Sequence, residues 1–281
     1  MTAGEQWAAD ELAQLRTGGF TPRALAAFLV ASDRRAREVR RDRPALARRA
    51  RAWDLTGAVA YVAVLRPGRG SGRGPRAAVA TAAWWTTVAL MLDWHLGMVE
   101  STAGEPRNLG AADALTLARA WLVPLIAAGP EPALVLLAAA TDALDGPLAR
   151  ASVPTRAGRD LEGLVDLAVL SAGLSAASRR GTVAPAVLAL ELARVSAGFA
   201  YGVAAYFARA QPPATWVLRA GRATTPVRAA GLLAATSGRR GAANVLVGGG
   251  SAASLALLTI AARAARAGAA TTPGSGLPAR A

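Results

Sequence analysis

The sequence predicts an all-α, polytopic membrane helix bundle, and three observations carry that expectation. Apolar residues make up 53% of the chain and mean hydropathy is +0.30, yet only 5% of residues are aromatic, so small aliphatic side chains supply most of the apolarity. These residues fall into runs that approach the roughly 20 positions a helix needs to cross a bilayer. Between the runs lie Gly, Pro and Arg; all 32 basic residues are Arg, against 18 Asp plus Glu, and the formal charge of +14 is permanent at physiological pH.

Residues 1–53 form a basic helical arm, expected in the cytoplasm. Met1 to Ala9 carries Glu5 and has no apolar core, so no cleavable signal peptide is predicted. Thr21-Pro22 starts a helix, and from Asp33 to Arg51 there are nine Arg. Two readings of this arm remain: a solvated, partly disordered segment, or an amphipathic helix held on anionic lipid at about 1 kcal/mol per Arg. Residues 54–107 add one or two membrane segments. Ala77 to Val99 is long enough to span, whereas Ala52 to Leu65 is short for a span, and the connecting RPGRGSGRGPR holds four Arg that belong on the cytoplasmic side. His95, the single His, is expected at headgroup level beside Trp84, Trp85 and Trp94.

Residues 108–265 contain six apolar segments: Leu115 to Ala128, Ala133 to Leu148, Leu161 to Ser178, Val183 to Phe207, the weaker Pro226 to Thr236, and Asn244 to Arg263. The turn from Gly129 to Pro132 is expected outside. The loop 149–158, with Arg150, Arg156 and the adjacent Arg159, is expected inside. Gly198 with Gly202 and Ser171 with Ser175 give small residues at a spacing of four, suited to close helix packing within the bundle or in a homodimer. Residues 266–281 read as a disordered, low-complexity tail.

The chain contains no Cys, which excludes disulfides and thiolate metal sites, and a lone His cannot build a transition-metal site or a catalytic triad. The residues that carry chemistry lie in TDALDGPLARASVPTRAGRDLEGLVD, residues 141–166. Asp142 and Asp145 share one helix face at i, i+3; Glu162 and Asp166 share a face of the next helix at i, i+4. Carboxylates within apolar segments are retained when paired, metal-bound or lining a watery cavity. Pairing with Arg150, Arg156 and Arg159 is one reading; the other is a hard divalent cation, Mg²⁺ or Mn²⁺, which oxygen ligands without His or Cys select. Gly146 and Gly158 clear space for a ligand, and Arg150 offers a phosphate fork. Arg194, in an apolar helix, with Arg219, Arg222 and Arg228 beyond it, is a candidate to bind an acceptor's phosphate, the alternative being arginines that snorkel to the headgroups.

The spacing D-x2-D-G-x2-A-R, seven residues, then G-x3-E-x3-D resembles the signature of the CDP-alcohol phosphotransferases, integral-membrane enzymes of phospholipid biosynthesis. Asp142, Asp145, Gly146, Ala149, Arg150, Gly158 and Asp166 match it; Glu162 stands where the family has Asp. Thr116, Arg119 and Pro124 in LTLARAWLVP resemble the start of the family's first core helix, and the likeness spans roughly 108–265. It implies six core transmembrane helices and a homodimer in the cell membrane, with the active site facing the cytoplasm. It also implies transfer of a phosphatidyl group from a CDP-linked lipid such as CDP-diacylglycerol to an alcohol acceptor, with release of CMP. Asp166 would be the general base; Asp142, Asp145 and Glu162 would ligate the metal, with Asp166 close enough to join. Gly146, Ala149, Arg150, Thr155 and Gly158 would meet the nucleotide, Ala149 only by leaving room. Glu162 leaves open an altered metal preference or a degenerate site that binds nucleotide without turnover. A cation- or proton-coupled transporter is the rival from another class; nucleic acid is not an expected partner, because the arginines punctuate apolar runs.

Overall fold

The computed structural model describes residues 2–65, 75–101, 103–151, 155–205 and 215–270. The Arg-rich connection at 66–74, the middle of the motif loop, residues 206–207 of the fourth apolar segment, and the tail from 271 lie outside the described residues. Among the described residues there are ten α-helices: α1 Ala3–Thr17, α2 Pro22–Asp42, α3 Pro44–Leu65, α4 Pro75–Trp94, α5 Ala111–Ala128, α6 Pro132–Ala151, α7 Arg156–Arg179, α8 Pro185–Val203, α9 Thr215–Thr236 and α10 Arg240–Ala270. A short 3₁₀ turn, Leu96–Met98, follows α4.

Six of these helices follow residue 110, matching the six apolar segments of the sequence. Their starts are set by local chemistry. Thr155 caps α7 by accepting the Gly158 N–H at 3.1 Å, and Asp113 in the first turn of α5 accepts the Gly110 N–H at 2.7 Å. Pro185 opens α8 at a position where its missing N–H costs nothing. The helix α9 begins eleven residues before the apolar run at Pro226. Its first half, TWVLRAGRATT, is too polar to register as a membrane segment, and its helix is completed by packing against α10. At Gly231 the two helices approach so closely that an added Cβ would lie 2.6 Å from Val247 Cγ2.

Short connections make α5, α6 and α7 antiparallel neighbours, and α8, α9 and α10 form a second group that meets the first through α6, α7 and α9. One buried cluster, including Leu117, Ile126 and Val165, joins α5 and α7 to α3 and α4; another, including Leu174, Leu232 and Val247, joins α7 to α9 and α10. Among the described residues, four helices are long and apolar enough to cross a membrane: Ala111–Ala128, Leu161–Arg179, Pro185–Val203 and Arg240–Ala264. The apolar side chains left exposed support a multi-pass membrane protein, with Leu55, Val59 and Val62 forming a stripe on α3 and Phe199 72% exposed on α8.

The segment before α5 is anchored rather than simply appended. Thr2 hydrogen-bonds Glu100, the Arg35 guanidinium stacks 4.7 Å from the Trp7 ring centroid, and Arg40 pairs with Asp93. Arg43 donates to the Val99 carbonyl at 3.0 Å and Arg49 to the Leu109 carbonyl at 2.6 Å. Trp84 and Trp85 point into the packing: their indole N–H groups donate to the Ala120 and Asp54 carbonyls at 2.8 and 2.9 Å. A half-buried indole needs such a partner, and these two tie α4 to α5 and α3.

Candidate active site

The site forms where the C-terminal half of α6, the N-terminal half of α7 and the first turns of α5 converge. Carboxylate oxygens of Asp142 on α6 and of Glu162 and Asp166 on α7 all lie within 4.8 Å of one another. Like charges that close repel by roughly 3–4 kcal/mol per pair at an effective dielectric of about 20. Exposure of Asp142 weakens its share. The arrangement therefore calls for positive charge.

Part of that charge comes from Arg119 on α5, which is 1% exposed. Its guanidinium pairs with Asp142, lies 3.3 Å from Asp145 and lies 3.4 Å from Asp166. One cation is thus shared by three acids, and the described side chains of the cluster stay net negative. The pairing expected from the sequence gives this task to Arg150, Arg156 and Arg159. Those side chains lie outside the described residues, and the partner that is described comes from a different helix. Three oxygen-donor acids fit a hard divalent cation by their chemistry, and no nitrogen or sulfur ligand is among them.

Asp145 is placed differently from the other three acids. It is buried, and its Oδ2 accepts hydrogen bonds from Thr116 Oγ1 at 2.8 Å and Arg119 Nη2 at 3.3 Å. Thr155 and Gly158, expected beside the nucleotide, belong to a structural knot. The Thr155 hydroxyl donates to Asp113 Oδ1 at 2.7 Å, and a Cβ added at Gly158 would collide with that same oxygen. Asp113 so fastens the start of α7 to the start of α5. It is absent from the residues expected from sequence, although an acid three residues after Gly110 is a helix-start signal. Gly146, Ala149 and Arg150 sit in the last turns of α6, and their side-chain surroundings lie outside the described residues.

From the acids a cavity of about 340 Å³ runs between α6, α7 and α9. Arg119, Asp142 and Asp166 line one end, and Val135, Ala138, Val169, Leu170 and Leu233 line the rest. Val135 is seven residues from Asp142, so the apolar part extends about 10 Å along α6, at 1.5 Å per residue. The result is a charged mouth on an apolar slot.

The candidate acceptor residues separate. Arg194 is committed to Glu191, donating to its two oxygens at 2.7 and 2.9 Å, and Arg228 adds a third bond at 2.9 Å. Ser251 completes the coordination of this fully buried carboxylate at 2.7 Å. Arg228 also contacts Thr225 at 3.0 Å, and Thr225 lines the cavity. Arg219 is exposed on α9, away from this cluster's bonds. The Arg222 side chain lies outside the described residues. His95 donates its Nδ1–H to the Met91 carbonyl at 2.7 Å and borders a small space shared with Asp113 and Gly158.

Residues 109–262 match the family model described as CDP-alcohol phosphatidyltransferase. Neither the curated proteins nor the solved structures gave a significant match. The match covers more than half of the chain and includes every acid of the cluster, so the chain belongs to the CDP-alcohol phosphatidyltransferase family.

Proposed function

We propose that this membrane phosphotransferase moves a phosphatidyl group from a CDP-linked lipid, such as CDP-diacylglycerol, to an alcohol acceptor with release of CMP. The observation that carries the reading is the acid trio of Asp142, Glu162 and Asp166 at the mouth of a slot that is otherwise apolar. Such a slot suits a donor with a charged pyrophosphate and an apolar tail. Asp142, Glu162 and Asp166 would hold Mg²⁺ or Mn²⁺, and Asp145 has a second carboxylate oxygen with which to join them. When bound, the cation supplies charge neutralisation on the attacking and leaving oxygens.

The chain's own residues do the rest. Arg119 holds Asp142 and Asp166 in place from a buried position, its geometry fixed by contact with three acids. Asp166 takes the proton of the acceptor hydroxyl as the new oxygen–phosphorus bond forms and the bond to CMP breaks. For the acceptor's phosphate, the Glu191 cluster is the candidate, since Arg194 and Arg228 together exceed Glu191 by one positive charge and Arg228 contacts Thr225 of the cavity lining. Arg219 and Arg222 would extend that positive surface along α9. The acid end faces the cytoplasm in this reading, because the arginine-rich arm packs at the same end of the bundle.

The reading is tested with the purified chain in detergent micelles, CDP-diacylglycerol and a panel of polyol and polyol-phosphate acceptors, measuring CMP. It predicts CMP release that needs an acceptor and Mg²⁺ or Mn²⁺ and stops with chelator. A folded sample that binds nucleotide but releases no CMP with any acceptor would favour the degenerate-site alternative.

A further inference from the structure

The arm outside the matched residues carries a feature that phosphoryl transfer does not use. Arg23, Val30, Arg34, Arg37 and Arg41 follow one another along α2 at helical spacing, and all five are exposed. Leu25 and Leu29, each 44% exposed, lie on the other side of the helix, the side that carries the buried Ser32 and Ala36 further along. Arg35 and Arg40, by contrast, turn inward to Trp7 and Asp93 and fix the helix to the body. On the stripe side the acid with a described pairing is Asp33, which bonds Arg37; Glu38 and Asp42 form a separate i, i+4 row.

We propose that this stripe docks on the anionic headgroups of the same bilayer that the chain spans, laying α2 on the membrane surface. Charge complementarity selects the occupant: four arginines with the exposed Val30 among them match a surface of anionic headgroups. Position supports it. On α3 the exposed apolar stripe begins at Leu55, directly after the exposed Arg48, Arg49 and Arg51, and that change marks the water–lipid boundary. From Pro44 to Arg51 is eight residues, so the end of α2 stands within about 12 Å of that boundary.

The chain has no Cys, so Val30→Cys gives a single labelling site on the full-length protein. Labelled with an environment-sensitive fluorophore, it would be reconstituted into nanodiscs of phosphatidylcholine alone or of an equal mixture of phosphatidylcholine and phosphatidylglycerol, each with a spin-labelled lipid quencher. The proposal expects strong quenching in the mixture and little in phosphatidylcholine, with loss at about 1 M salt, where the screening length is about 3 Å. Combining Arg23→Gln, Arg34→Gln, Arg37→Gln and Arg41→Gln should abolish the quenching, at roughly fivefold in partition per arginine. If that variant fails to fold, the lipid and salt comparisons on the unsubstituted stripe still decide between the outcomes. Equal quenching in both lipids, none in the mixture, or a response to added polyuridylate or an acidic peptide in its place would overturn the proposal.

Discussion

Glu162 is one methylene longer than Asp, yet its carboxylate reaches the same small volume as those of Asp142 and Asp166. If the site is built around that reach, Glu162→Asp withdraws a ligand by about 1 Å, a displacement that can cost on the order of 100-fold in rate. The expected outcome is slower CMP release or a changed preference between Mg²⁺ and Mn²⁺; a large gain would identify a decayed site that Asp repairs. Asp166 and Asp142 should fail differently. Asp166→Asn is expected to abolish turnover while retaining nucleotide binding, whereas Asp142→Asn should weaken metal-dependent nucleotide binding as well. Equal loss of binding in both would remove Asp166 from the role of base. Gly158 gives a stability test. Gly158→Ala forces a methyl against Asp113 and Thr155 and should cost about 1–3 kcal/mol, read as a lower midpoint of thermal unfolding in detergent. Gly163→Ala, where an added Cβ meets nothing within 4 Å, should leave that midpoint unchanged or raise it.

Helices α8, α9 and α10 are held together by an ionic network that few apolar bundles could tolerate. Glu191 is fully buried and satisfies Arg194, Arg228 and Ser251 at once. Glu191→Ala leaves two guanidinium groups without their partner, a loss of about 3–5 kcal/mol, and should lower the unfolding midpoint far more than Ser251→Ala; similar small effects from both would contradict the network. The elements differ in how much of them the sequence discloses. Runs such as Leu161 to Ser178 are legible because a stretch of that length that is apolar apart from two acids has few other uses. The first half of α9 is not, since its Arg and Thr residues read as polar, and its close contact with α10 comes in the second half, where Gly231 meets Val247. The acids are legible from their spacing, whereas Arg119 as their common partner is not. Its reach across helices depends on how α5 crosses α6 and α7, and spacing within one segment carries no such information. Asp113 is hidden for the same reason: a first-turn acid is ordinary until Thr155 from another helix shares it.

At the scale of the whole molecule, the arm, residues 95–101 and the acid cluster gather at one end of the bundle, and the turn between α5 and α6 lies at the other. Single Cys substitutions at exposed Gln14 and Glu131 therefore should sit on opposite faces of the membrane. In right-side-out cells an impermeant maleimide is expected to label Glu131→Cys and spare Gln14→Cys; labelling of both from outside would refute the cytoplasmic placement of the site. On the reading developed above, Asp142, Glu162 and Asp166 form one divalent-cation site at the charged end of an apolar slot. Mn²⁺ binding to the purified chain, followed by electron paramagnetic resonance with CDP-diacylglycerol present, tests it most directly. Saturable binding is expected, which Mg²⁺ competes away and which Asp142→Asn or Glu162→Gln sharply weakens. Mn²⁺ binding that is absent, or that is the same in wild type and both variants, would contradict it.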